Sequence, residues 1–204
     1  ILSLAERRLR DRLVFEDDRQ AFTLCRAALR RLLSARAGQT PERLQFSENR
    51  FGKPHLADRS VCFNVSHSAD LALIALSSHD EVGVDIEQQR PMPDMMATAR
   101  RLFSPREFKV LSLLPHSLQQ EGFFRCWSRK EAFIKAIGMG LSFSLDEVDV
   151  TLDPRLPAQI LAVRSPEHAT QGWQLHHLEA AKGYSAALVT RGHATVRLLS
   201  AERP

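Results

Sequence analysis

The chain of 204 residues has no apolar run long enough to cross a bilayer. The longest, Leu71 to Leu76, falls far short of the roughly 20 residues that a spanning helix needs. No charged start followed by an apolar stretch and a small-residue cleavage site opens it, so nothing argues for export and the expected location is cytoplasmic. Cysteine is scarce: Cys25, Cys62 and Cys126 are well separated, odd in number and embedded in apolar patterns. Buried free thiols in a reducing compartment are therefore expected, over a disulfide or a zinc site. Low-complexity stretches and clear repeats are missing, and a composition 44% apolar and 25% charged excludes disordered, collagen-like and mucin-like chains. There is no Walker loop, dinucleotide glycine fingerprint, nucleophile elbow or zinc spacing. What is left suits one compact unit, or two small halves sharing an interface. The chain starts at Ile1 rather than Met, so an N-terminal piece is expected to be missing from it.

The net charge of +4 is mildly basic. That fits an anionic ligand or an acidic protein partner and is too weak to imply nucleic acid. Arg7, Arg8, Arg10 and Arg12 crowd the start, and Arg19, Arg26, Arg30 and Arg31 follow. The spacing predicts a helix over 18–36, with Phe22, Cys25, Leu29, Leu32 and Leu33 on one face and Gly38 as its stop. Arg19, Arg26 and Arg30 fall within roughly 20° of one another beside that face. They either grip a polyanion or frame the core by snorkelling.

Beyond the break at Gly52-Lys53-Pro54, aliphatic and β-branched runs at 61–65, 71–76 and 82–87 read as a meander of short strands. Helices are expected over 93–103, 105–114 and 119–137, the last ending at Gly138, and strands over 148–152, 159–163, 173–178, 185–190 and 195–199. Helix then strands, followed by helices then strands, predicts an α+β chain. Its two similar α/β halves, about 1–88 and 89–204, are related by a pseudo-twofold, each a small, mainly antiparallel sheet with packed helices.

Three segments hold candidate chemistry. In Gly83-Val84-Asp85-Ile86-Glu87, strand alternation projects Asp85 and Glu87 on one face, roughly 7 Å apart. Such a pair suits a hard divalent cation with oxygen ligands, or else lies on a solvent face. Trp127, Glu131 and Lys135 form one ridge of a helix. Either Glu131 and Lys135 make a wet surface pair, or, since Trp127 implies burial, a cation for Glu131 and a phosphate for Lys135 offset the cost. In Phe63-Asn64-Val65-Ser66-His67-Ser68, a strand runs into a turn where Ser66 and His67 form an anion nest or are plain turn residues.

Taken in order, Arg-Phe-Gly-Lys-Pro (50–54), Phe-Asn-Val-Ser-His-Ser (63–68), Gly-Val-Asp-Ile-Glu (83–87) and Trp-Ser-Arg-Lys-Glu-Ala-Phe-Ile-Lys (127–135) resemble the 4′-phosphopantetheinyl transferase superfamily. The match is to its monomeric two-half type and spans roughly residues 5 to 190. The resemblance implies transfer of phosphopantetheine from coenzyme A to a serine of an acyl or peptidyl carrier protein, with release of 3′,5′-ADP. It implies that Asp85, Glu87 and Glu131 hold Mg²⁺, with Mn²⁺ as the alternative, and that Lys135 neutralises phosphate charge. It further implies that Lys53 and Ser66 meet coenzyme A phosphates and that His67 and Arg7 meet the 3′-phosphate. Glu131 or a metal-bound water takes the serine proton, and the residues do not choose between them. The family begins with an N-terminal strand of which little can precede Ser3.

Carrier proteins of this kind are acidic, so their docking face is expected to be apolar with a basic rim. Met92, Met95 and Met96 with Arg100 and Arg101, together with the loop Gly138-Met139-Gly140-Leu141, are the candidates, although a methionine stripe also reads as core. Neither nucleic acid nor membrane is an expected partner, and a monomer is expected. Two readings compete with the transferase: a carrier-binding module without catalysis, and a Mg²⁺-dependent hydrolase of nucleotide phosphates.

Overall fold

Ser3 and Glu6 begin the ordered chain with a capping box, the hydroxyl accepting from the Glu6 amide and the carboxylate from the Ser3 amide. The structure is a computed structural model that describes residues 1–78, 80–168 and 172–200. The box starts α1 (Leu4–Asp11), and α2 (Glu16–Ala37) follows, ending at Gly38 with φ 65°. Leu29 and Leu33 of α2 pack with Leu44, Leu56, Val61 and Phe63. Leu32 departs from expectation and is exposed. It falls about 100° round the helix from Leu33, off a narrow contact stripe.

The arginine edge frames the core. Buried Arg30 donates to Glu6 at 2.8 Å and to the carbonyls of Pro41 and Leu44, tying α1 to α2. Arg19 donates to the Leu13 carbonyl, and Arg26 lies over the rings of Phe22 and Phe46. Arg30 and Arg19 are held by hydrogen bonds within the chain and Arg26 by ring contacts, which favours the framing role over the polyanion alternative.

Two short strands that the sequence did not announce, β1 (Phe46–Glu48) and β2 (Pro54–Leu56), pair antiparallel. β3 (Cys62–Ser68) and β4 (Leu71–Ser77) form the expected hairpin. The expected meander stops there. β5 (Val82–Gln88) pairs not with β4 but with β9 (Tyr184–Arg191), which in turn pairs with β8 (Trp173–Leu178) in a three-stranded antiparallel sheet. β3 does lie beside β5, but side chains join them. Asn64 Oδ1, Ser66 Oγ and Ser68 Oγ accept from the amides of Val84, Ile86 and Gln88 at 2.8, 3.3 and 3.0 Å. Side-chain acceptors therefore replace the carbonyl ladder on that edge of β5.

Between β5 and the rest of its sheet come α3 (Met95–Leu102), α4 (Pro105–Leu113) and α5 (His116–Ile137). A second capping box, Ser104 with Glu107, opens α4. β6 (Val148–Val150) and β7 (Ile160–Val163) form a small antiparallel pair. No strand occurs among the described residues of 195–199; β9 already has a neighbour on each edge. The largest core cluster surrounds α5, with Phe123, Ala132 and Phe133 against Val148, Val150, Leu175, Ala187 and Val189. The fold class is α+β, as expected. No described helix is long and apolar enough to cross a membrane, and all three cysteines are free.

Candidate active site

Alternation along β5 buries Val82, Val84 and Ile86 on one face. Gly83, Asp85 and Glu87 take the other, toward α5. Gly83 is needed for closeness: a Cβ there would stand 2.1 Å from the Ala132 carbonyl oxygen and 2.2 Å from the Ala136 amide nitrogen of α5. Strand backbone thus lies directly on helix backbone. One turn of α5 away from Ala132, Lys135 reaches the next outward residue of the strand.

The axial rotation of α5 is set from behind. Lys130 is fully buried, 2.6 Å from the Glu107 carboxylate, and also donates to the carbonyls of Leu145 and Val148. Glu107 in turn accepts from the Ser104 and Val150 amides. With Lys130 held toward α4 and β6, the next residue, Glu131, is turned about 100° toward β5. Neither Lys130 nor Glu107 was among the candidate residues, although a lysine and a glutamate each on the apolar side of its helix were the visible signal of the pair.

Asp85 is the centre of the site. It is 2% exposed, so the solvent-face alternative is excluded. Its Oδ1 lies 2.6 Å from Lys135 Nζ and accepts from Ser66 Oγ at 2.9 Å, and Lys135 also donates to Ser66 at 2.9 Å. Oδ2 is buried and has no partner among the described residues. Burial pushes the Asp85 carboxyl up to about 7, against the pull of Lys135 and Ser66, and the negative charge of Glu87 adds to the rise. Burial also raises Glu131, with Lys135 opposing and Glu87 assisting. Glu87 accepts from Ser68 at 3.2 Å.

The surface Glu–Lys pair weighed for α5 does not form, since Lys135 pairs across to the strand. Trp127 is half-buried and stacks on Phe123, in keeping with a ridge that faces the interior.

The remaining candidates stand apart. Lys53 Nζ donates to Glu81 at 2.5 Å, to the Val82 carbonyl at 3.2 Å and to the Ala136 carbonyl at 3.0 Å, clamping β5 to the end of α5. Ser66 has its one hydrogen and both lone pairs engaged within the protein. His67 follows it on β3 and is exposed, on the opposite face of the strand. Arg7 stands exposed on α1 and donates to the Leu2 carbonyl. Near the Lys53 clamp, a cavity of about 250 Å³ is lined by His55, Arg59, Phe63, His168 and Trp173 among others.

For a divalent cation the donor chemistry is right: three carboxylates, one with an orphaned, buried oxygen. Among the described residues no three acidic, His or Cys side chains are already gathered closely enough to chelate. Lys135, lying against Asp85, balances its charge instead.

A family model for the 4′-phosphopantetheinyl transferase superfamily matches residues 81–189, and one for the 4′-phosphopantetheinyl transferase N-terminal region matches residues 1–79. The 4′-phosphopantetheinyl transferase HetI of Nostoc sp. is 39% identical over 154 residues, 74% of this chain and 65% of that protein. The 4′-phosphopantetheinyl transferase psf-1 of Bacillus pumilus is 32% identical over 192 residues, 93% of this chain and 79% of that protein. The match to HetI thus spans less than two thirds of that relative's length. A solved holo-(acyl-carrier-protein) synthase from Bacillus anthracis, in complex with CoA (3′,5′-ADP), has a TM-score of 0.45 and 22% identity, over 56% of this chain and 96% of that one.

Proposed function

The chain belongs to the 4′-phosphopantetheinyl transferase superfamily, and from that premise we propose that it moves the 4′-phosphopantetheine arm of coenzyme A to a serine of an apo acyl or peptidyl carrier protein. The observation that carries the reading is Asp85: a buried carboxylate with one oxygen tied to Lys135 and Ser66 and the other without a partner among the described residues. A carboxylate held in that way is costly unless it has a ligand to meet. The site lies where the two proposed halves, about 1–88 and 89–204, come together.

In the reaction the serine Oγ forms a bond to the β-phosphorus of coenzyme A. The bond from that phosphorus to the oxygen bridging to the α-phosphate breaks, and 3′,5′-ADP leaves with the electron pair. Asp85, Glu87 and Glu131 would hold Mg²⁺, or Mn²⁺, which supplies positive charge to the pyrophosphate oxygens. Lys135 neutralises charge that develops on those oxygens, and Ser66 keeps its ammonium aligned. Glu131 or a metal-bound water would take the proton of the serine hydroxyl, and the residues do not choose between them. His67 and Arg7, exposed and cationic or cationisable, are the proposed contacts of the 3′-phosphate. Lys53 acts on coenzyme A only by giving up one of its present acceptors.

Carrier docking is assigned to the face bearing Arg100 and Arg101. Met92, Met95 and Met96 are half-buried against the core, which leaves their outer edges for contact, and Leu141 is fully exposed on its loop. A monomer in the cytoplasm completes the reading. The test is mass spectrometry of an apo carrier incubated with coenzyme A, Mg²⁺ and this protein, with Asp85→Ala as control. A gain of one phosphopantetheine arm is expected. No gain across a panel of carriers that nonetheless bind would point to a docking module, and nucleotide release without carrier would point to a hydrolase.

A further inference from the structure

Arg125 and Arg129 stand one turn apart on α5, near enough to His177 of β8 for their charges to act on its ring. On that strand Trp173, Leu175 and His177 alternate to one side, and Leu175 packs in the α5 core. His177 lies opposite Ala187 of β9, another member of that core, so its ring turns toward α5. Arg129 is 1% exposed. Its Nη1 donates to the Thr151 carbonyl at 2.5 Å and to the Thr151 hydroxyl at 3.0 Å. Its Nε and Nη2 are buried and have no partner among the described residues, and neither has His177 Nδ1.

The charges nearby do not balance. Arg125 is paired with Glu121 at 2.8 Å. His177 Nε2 lies 3.1 Å from Glu179, which is itself almost wholly exposed. Among the described residues no carboxylate pairs with Arg129. A guanidinium is not deprotonated in proteins, so Arg129 keeps its full positive charge. A buried charge with no counter-charge and three unmade N–H bonds, one on Nε and two on Nη2, costs several kcal/mol in general.

We infer that a small monovalent inorganic anion of the chloride class binds between Arg129 and His177, behind the catalytic helix. Such an ion accepts from the Nε–H and from the Nη2–H beside it, and cancels the single excess charge. A water would satisfy the hydrogen bonds and leave the charge. The groups that face the imidazole are Arg125 and Arg129 from α5 and Glu179 from the end of its own strand. Burial and the two arginines hold His177 below its ordinary range. An anion offsets the arginines, so the ring takes up a proton more readily once the ion is bound, and Nδ1–H becomes a third donor. None of these residues belongs to the Asp85 cluster, so the inference stands whether or not the transferase reading does.

Crystals soaked in bromide test it directly, with an anomalous peak expected within hydrogen-bonding distance of Arg129 Nε and Nη2. In solution, Tm is compared in sodium chloride and in sodium methanesulfonate at equal ionic strength. A rise of roughly 3–6 °C is expected once chloride exceeds its Kd tenfold. Arg129→Met abolishes that dependence, and the NMR titration of His177 moves to higher pH in chloride. Should Arg129→Met not fold, the bromide map of the unaltered protein decides. An ordered water at that position with no anomalous signal, and equal Tm in both salts, would overturn the proposal.

Discussion

Lys135 Nζ lies 2.6 Å from Asp85 Oδ1, an ion pair between the helix and the strand that bear the candidate chemistry. Despite that pairing, burial wins and Asp85 is held well above the ordinary carboxylate range. The ionised form is therefore a net burden on the folded state. Asp85→Asn is expected to abolish transfer and at the same time to stabilise the apoprotein at pH 8, by on the order of 1–3 kcal/mol. Urea unfolding of both proteins without added metal checks this, and a less stable variant would show that the ion pair outweighs desolvation.

Gly83→Ala places a methyl group inside the backbone of α5. Backbone cannot step aside as a flexible side chain can, so strand and helix must part. A loss of roughly 3 kcal/mol or more is expected, read as a fall in Tm of roughly 6–12 °C, together with loss of activity. A variant with unchanged Tm would mean that β5 does not rest on α5 as described.

The side-chain stitches between β3 and β5 differ in burial. Asn64 is buried and its acceptor serves the Val84 amide, whereas the Ser68 bond to Gln88 is at the exposed end. Asn64→Ala leaves a buried N–H without a partner and should cost roughly 1–3 kcal/mol, while Ser68→Ala costs less because water replaces it. Hydrogen exchange at Val84 should accelerate in the first variant, and equal effects would contradict the assignment.

Acid stability reports on Glu6. Burial raises its carboxyl, but the Ser3 amide and hydroxyl and the Arg30 guanidinium more than offset this, and its pKa ends below 4.5. A carboxylate depressed in the folded state contributes stability that is present above the unfolded value and lost as pH falls through the folded one. The difference in Tm between the parent protein and Glu6→Gln is therefore expected to shrink as pH falls from 5 toward 3. A constant difference would remove Glu6 from the acid limb.

Arg100 and Arg101 rim the proposed docking face, with Arg100 lying over the Phe108 ring. Reversal of both to glutamate should raise KM for the carrier several-fold and leave KM for coenzyme A unchanged. Steady-state kinetics with each substrate varied in turn separates the two, and an unchanged carrier KM would move docking elsewhere.

Residue order alone made α2 and α5 legible, since apolar periodicity and terminal Gly38 and Gly138 act within a few residues. It also made Asp85, Glu87, Glu131 and Lys135 stand out, because alternation on a strand and four-residue spacing on a helix are local geometry. Ser66 and His67 read as a turn after a strand ending near 65, whereas β3 runs on to Ser68 and turns Asn64, Ser66 and Ser68 to β5. A side chain does not announce whether it meets a ligand or a neighbouring strand. Only the tertiary structure decided that β5 pairs with β9, that Lys135 reaches Asp85 rather than Glu131, and that Arg129 is buried with no counter-charge among the described residues. Those outcomes depend on which surfaces meet after the chain has closed on itself. Pairing and desolvation are set by such long-range contacts, and short-range sequence rules carry no information about them.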